Sequence, residues 1–138
     1  MLDLSLKGKR AVVTGASLGI GEAVVKMLSD HGASVTFCAR NKDAIKNLTD
    51  YKSDSPDSKI KGLIADMSDA KSTENFIKET LEDGPIDILV NNVGASPSRN
   101  FLYMSDQDWQ DLHELNLLSA VRCTRSFLPH MREQKWGR

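Results

Sequence analysis

The sequence predicts an α/β fold, a doubly wound parallel sheet with helices on both faces. Two observations predict it. Short apolar runs alternate four times with stretches of helical periodicity, an order that calls for parallel strands joined by right-handed crossovers. Turn residues separate the runs, notably Gly15, Gly32 and Gly84-Pro85.

The first strand is Arg10 to Thr14, an apolar run ending at Gly15 that suits a strand covered on both faces. Ile20, Ala23, Val24, Met27 and Leu28 then recur at helical spacing, and Gly32 is placed to end that helix. Ser34 to Cys38 is the second strand. A helix opened by Asn41 runs to Leu48, with a thin apolar face. Tyr51 to Lys59, rich in Ser and Asp and holding Pro56, is a surface loop. Lys59 to Ala65 is the third strand, weakened by Gly62. Ser68 caps a helix from Asp69 to Glu82 whose buried face takes in Phe76, Ile77, Thr80 and Leu81. Ile86 to Val90 is the fourth strand, followed by a polar loop through Ser105.

The last element is expected to be one long helix from Asp106 to about Met131, with Ser105 and Asp108 as an acidic capping box. At a helical period Trp109, Leu112, Asn116, Ala120, Cys123 and Phe127 share one side. Leu117, Val121 and Leu128 fall on a neighbouring side, and Leu118 faces nearly opposite. A helix this apolar around its circumference packs against more than one surface. A homo-oligomer contact through residues 106–131 and a large monomeric core both account for it.

The 138 residues fit a single domain, with no internal repeat or low-complexity tract. The alternating pattern gives a Rossmann-like, three-layer α/β/α arrangement, which binds nucleotides beyond the carboxyl ends of its strands. With 40% apolar and 27% charged residues and a formal net charge of -1, no basic stripe or tail points to nucleic acid or a membrane surface. The apolar runs are too short to span a bilayer, and the opening residues Met1 to Lys7 lack the pattern of a signal peptide. Cys38 and Cys123 have no metal-type neighbours and read as reduced thiols of a cytoplasmic protein. His31, His113 and His130 are isolated, so no metal site is expected. His31, beside Gly32, reads as a helix-end cation, and Lys7 to Arg10 as a solvated basic stretch.

The strongest local signal is Thr14-Gly15-Ala16-Ser17-Leu18-Gly19-Ile20-Gly21, between the first strand and the first helix. Gly15 allows the sharp strand-to-helix turn. Gly19 and Gly21 remove side chains where a pyrophosphate would approach the exposed N–H groups and positive end of the helix. The glycines are not spaced as in the G-x-G-x-x-G dinucleotide fingerprint, and a purely structural turn is the plain alternative.

Four marks together resemble the short-chain dehydrogenases/reductases. Thr14-Gly15-x-x-x-Gly19-x-Gly21 is similar to that family's coenzyme motif. Asn91-Asn92-Val93-Gly94, after the fourth strand, is similar to its Asn-Asn-Ala-Gly motif, with Val93 in place of Ala. Asp66, with Met67 beside it, matches the acidic residue that contacts the adenine ring, and Asn116 matches the Asn of the catalytic Asn-Ser-Tyr-Lys set. The marks occur in family order and the resemblance spans essentially the whole sequence.

The resemblance implies an oxidoreductase that moves a hydride between a nicotinamide coenzyme and a small carbonyl or alcohol substrate. Gly15, Ser17, Leu18, Gly19, Ile20, Gly21, Asp66, Met67, Asn92, Val93 and Gly94 would hold the coenzyme. Asn116 would interrupt its helix and hold a water of the proton relay. As an amide in an apolar helical face, Asn116 must in any case find hydrogen-bond partners, at a cost of about 1–3 kcal/mol if it does not. The end of the second strand, Cys38-Ala39-Arg40-Asn41, carries no carboxylate for a ribose, and Arg40 can pair with a 2′-phosphate. NADP(H) is therefore favoured over NAD(H), with Arg40 and Asn41 counted in the coenzyme site. Against this, Leu18 stands where many NADP-using relatives carry a basic residue.

The family's Tyr-x-x-x-Lys pair is missing, because Ser55 follows Tyr51 and Gln107 follows Tyr103 at that spacing. The chain is accordingly expected to stop before the catalytic Ser and Tyr-x-x-x-Lys, to be incomplete at its C-terminal side, and to be inactive alone. Family strand order would be 3-2-1-4, leaving Ile86 to Val90 an unpaired edge and the piece unstable on its own. A noncatalytic nucleotide-binding or interaction module is the competing reading. A transferase using another nucleotide is disfavoured by Asn91 to Gly94.

Overall fold

Strands β1 (Arg10–Val13), β2 (Ser34–Ala39), β3 (Ile60–Ile64) and β4 (Ile88–Val90) form one parallel sheet in the order β3-β2-β1-β4. The computed structural model describes residues 4–138; residues 1–3, where the sequence was read as lacking a leader, lie outside the described residues. Helix α1 (Gly19–Asp30) links β1 to β2, α2 (Lys42–Thr49) links β2 to β3, and α3 (Ala70–Glu82) links β3 to β4. Helices α4 (Asp106–His113) and α5 (Ser119–Glu133) follow β4.

The period of two along β1 sorts its side chains onto the two faces. Ala11 and Val13 join Val25 of α1, Leu48 of α2, and Val35 and Phe37 of β2 in one core layer. Val12 and Cys38 join Phe76 and Ile77 of α3 and Cys123 and Phe127 of α5 in the other. Val12 lies opposite Thr36 on one side and Leu89 on the other, so β1 is covered on every side.

Several expectations are corrected. The cap of α3 is Asp69, whose carboxylate accepts from the Ser72 N–H (2.6 Å), and not Ser68, whose hydroxyl is committed to Asp66. The buried face of α3 takes Thr73 instead of Leu81, which is 39% exposed. The regular part of β4 starts at Ile88, although the Asp87 N–H still donates to the Arg10 carbonyl (2.9 Å). Its outer edge is partly paired, since Leu89 N–H donates to the Arg138 carbonyl (2.9 Å) and Arg138 N–H to the Asp87 carbonyl (3.2 Å). Of Lys7 to Arg10, Lys7 and Gly8 are exposed as expected, with Lys7 in a surface pair with Asp57, whereas Lys9 lies over the Trp136 ring and Arg10 donates to the carbonyls of Thr80 and Pro85.

The long helix is not continuous. A π turn at Glu114–Leu118 separates α4 from α5, and an ion pair between Arg122 and Glu114 (2.5 Å) spans it. The wider turn takes up extra chain and shifts the faces on either side out of line. Cys123 and Phe127 are therefore buried, while Trp109 is 47% exposed and Asn116 lies at the surface. The expected capping box at Ser105 and Asp108 is present. His31 ends α1 with its Nδ1 against the Met27 carbonyl. Among the described residues no helix is long and apolar enough to cross a membrane, and no cluster of metal-binding side chains occurs.

Candidate functional site

The carboxyl ends of all four strands open onto a cleft of about 400 Å³. Its floor is the turn from β1 into α1. Gly15 there has φ +67°, and a methyl at that position would meet Val93 at 3.0 Å. Glycine serves both needs, the left-handed backbone and the close approach. Thr14 just before it is buried, and its hydroxyl accepts the N–H groups of Asn92 and Val93 (3.1 Å each). The Asn92 side chain returns the favour, donating to the carbonyls of Thr14 (3.1 Å) and Gly15 (2.9 Å). The glycine turn and the end of β4 are thus one hydrogen-bonded unit.

Ser17, Leu18, Ile20 and Gly21 line the cleft with Gly15, as do Asn92, Val93 and Gly94 across from them. Leu18 and Ile20 are exposed by 74% and 78%. Between them Gly19, though outside the lining, is left-handed (φ +61°) with open space where a methyl would stand. Gly21, in the lining as expected, also meets a packing need. A methyl there would lie 2.6 Å from Asn92 Nδ2 and 2.7 Å from the Gly15 carbonyl, so it lets α1 pack against the end of β4. Asn91 turns away from the cleft and donates to Thr124 of α5.

At the far side stand Arg40, Asp66 and Met67. The Ser68 hydroxyl and N–H hold the Asp66 carboxyl below the ordinary carboxylate range, against a smaller opposing effect of burial and with help from nearby Arg40. Asn41 is not in the lining, because its side chain caps α2 by accepting from Ala44 N–H (3.0 Å). Asn116 lies outside it too, in the π turn, where its amide exchanges two hydrogen bonds with the Ala95 backbone (2.8 Å each). Cys38, Ala39, Ala65, Ser68, Ala95 and Leu115 complete the wall; of these, Cys38, Ala65, Ser68 and Leu115 were not expected in the site from the sequence. Ser68 was legible in principle, since Asp-x-Ser is a local hydrogen-bonding pattern. Burial pushes the Cys38 thiol up to about 11, despite the opposing Gly15 backbone.

The first-turn donors of α1 set this cleft apart electrostatically. Helices α2, α3 and α4 are capped by the side chains of Asn41, Asp69 and Ser105; α5 continues from the π turn, and α1, whose N-cap is Leu18, has no side-chain cap. Ile20 and Gly21 of its first turn line the cleft, which brings the positive end of the helix dipole to it.

A family model described as short chain dehydrogenase matches residues 9–138. The chain belongs to that family. It is 36% identical over 141 residues to the uncharacterized oxidoreductase YvrD of Bacillus subtilis, covering 99% of this chain and 51% of that protein. It is 36% identical over 136 residues to the 3-oxoacyl-[acyl-carrier-protein] reductase FabG of Salmonella typhimurium, covering 98% and 54%. The chain therefore spans about half the length of the curated relatives it matches. Similar solved structures include a 3-oxoacyl (acyl-carrier-protein) reductase from Agrobacterium tumefaciens with NADP bound, with TM-score 0.90 and 30% identity over 100% of this chain and 54% of that one. L-sorbose reductase from Gluconobacter frateurii, complexed with NADPH and L-sorbose, gives TM-score 0.87 and 29% identity over 96% and 51%.

Proposed function

We propose that residues 1–138 form the coenzyme-binding domain of an oxidoreductase that uses NADP(H) in preference to NAD(H) to interconvert a small carbonyl compound and an alcohol. One observation carries the reading: α1 opens onto the cleft with its first-turn N–H groups free of any side-chain cap, next to a glycine with open space above it. Such an end accepts a phosphate. The rest of the cleft fits the remainder of a dinucleotide. Arg40 offers a guanidinium for a 2′-phosphate, and Ala39 leaves the end of β2 without a competing carboxylate. Exposed Leu18 and Ile20 gain cover from a bound coenzyme. The NADP-bound and NADPH-bound relatives support the same choice.

When bound, NADP(H) supplies the hydride; this chain's residues bind and orient it. Asp66 would meet the base beside the buried Met67, Asn92 fixes the floor, and Val93 and Gly94 would form the opposite wall. Asn116 holds the loop after β4 through Ala95 and stands as the chain's one member of the proton relay. Neither tyrosine has a lysine four positions on, so this chain alone is read as inactive in hydride transfer. Exposed Trp109, Leu117 and Leu128 (47%, 47% and 44%) support a homo-oligomer through residues 106–131. Two buried free thiols support a cytoplasmic location, and the near-neutral charge supports neither nucleic acid nor membrane as partner.

Titration of the chain with NADPH and NADH, followed by nicotinamide fluorescence, tests the reading. NADPH should bind more tightly, and Arg40→Ala should weaken it about tenfold or more, the order of one charge-assisted pair, while leaving NADH unchanged. Equal affinities, unmoved by Arg40→Ala, would remove the NADP(H) preference. Binding of neither coenzyme would remove the function.

A further inference from the structure

Asp66 and Ser68 form a built pair at the cleft wall. Asp66 Oδ1 accepts from the Ser68 N–H (2.9 Å) and from the Ser68 hydroxyl (2.7 Å). Its other carboxylate oxygen makes no hydrogen bond among the described residues. The backbone is fixed too: Asp66 N–H donates to the Ser72 hydroxyl (2.9 Å), and Ser72 N–H donates to Asp69 (2.6 Å). One oxygen of Asp66 is thus saturated while the other is left to the cleft, which both residues line.

This asymmetry has a chemical meaning. A carboxylate accepts and cannot donate, so the free oxygen attracts an amino edge and repels a carbonyl edge. Without the Ser68 hydroxyl, only the Ser68 N–H still holds Oδ1, and the carboxylate is aimed less firmly. We infer that Ser68 is a positioning residue that aims Asp66 at the amino group of the coenzyme's base, so that the site discriminates adenine from a base carrying a carbonyl there. The inference rests on the proposed coenzyme function. The low proton affinity of Asp66 agrees with it, because the pair needs the charged form.

The test uses the full chain, titrated with NADPH and with its hypoxanthine analogue, in which a carbonyl oxygen replaces the adenine amino group. The wild-type chain should favour NADPH by about tenfold, as expected for one hydrogen bond to a charged acceptor. Ser68→Ala should reduce that ratio several-fold, Ser68→Thr should restore it, and Asp66→Asn should abolish it. In the coenzyme-free chain, the Asp66 carboxyl carbon, followed by NMR, should titrate at higher pH in Ser68→Ala than in wild type. A ratio unchanged in Ser68→Ala, with NADPH still bound, overturns the positioning role and leaves the coenzyme reading standing. If neither coenzyme binds wild type, the positioning role and the coenzyme reading both fall. Should Ser68→Ala not fold, an unaltered ratio in Asp66→Asn overturns it equally.

Discussion

The side-chain amide of Asn116 and the backbone of Ala95 exchange two hydrogen bonds, each 2.8 Å. The π turn is thereby joined to the loop that leaves β4, across 21 positions of sequence. Asn116→Ala removes both bonds, and the expected loss of stability is about 1 kcal/mol or somewhat more. Asn116→Asp should be worse, because it sets an acceptor against the Ala95 carbonyl. Urea denaturation ranks the variants, and amide exchange at Ala95 should speed up in both. Unaltered exchange would show that the pair does not hold the loop.

Gly19 and Gly21 separate backbone strain from steric overlap. Alanine at 21 meets Asn92 and Gly15 at 2.6 and 2.7 Å, and α1 must be displaced, at an expected cost of about 1–3 kcal/mol or more. Alanine at 19 meets nothing within 4 Å but adopts φ +61°, which costs about 1–2 kcal/mol. Gly21→Ala should therefore lower Tm more, whereas Gly19→Ala should weaken NADPH binding without comparable loss of fold. Thermal melts and coenzyme titration on the same two variants decide it.

Thr14 offers an isosteric test. Thr14→Val strips a buried acceptor from two N–H groups, so a loss of about 2–4 kcal/mol is expected, while Thr14→Ser should retain most of the stability. Similar denaturation midpoints for the two variants would remove the hydroxyl from the account.

The sheet was legible because continuous apolar runs mark strands covered on both faces, as β1 is. Its order, β3-β2-β1-β4, was legible only through the family resemblance. The break near Asn116 was legible only through the family resemblance. Periodicity alone joined Trp109 to Phe127 along one stripe, because a straight helix was assumed and the π turn moves the two halves relative to each other. Ser68 and Asp69 are adjacent residues with similar capping preferences, and only their competing partners, Asp66 and Ser72, decide between them. Asn41 was placed in the coenzyme site by position, yet its side chain is consumed by α2. At Gly21 the missing side chain signals a close approach, and only the structure shows that Asn92 and Gly15 are among the groups that come near.

The buried thiols predict an alkaline limit. Burial pushes Cys38 up to about 11 and Cys123 up to about 12, from 9.0. A folded pKa above the unfolded one means that the native state holds its protons longer. Stability from this source is intact below pH 9 and is lost as pH rises through 9 to 12. Cys38→Ala with Cys123→Ala should flatten that decline in unfolding free energy against pH, although the cavities lower stability at neutral pH. Below pH 9 both thiols should resist alkylation until urea is added; rapid labelling of the native chain would contradict their burial.

Asn92 reaches Gly15 over 77 positions of sequence. Closing so long a segment is entropically costly and comes late relative to local pairing. An intermediate in which β1, β2 and β3 have assembled would carry the glycine turn without its two tethers, and so without a fixed mould for a phosphate. The capacity to bind coenzyme should then emerge in a single step when β4 docks, making ligand uptake during refolding a clock for the arrival of the last strand.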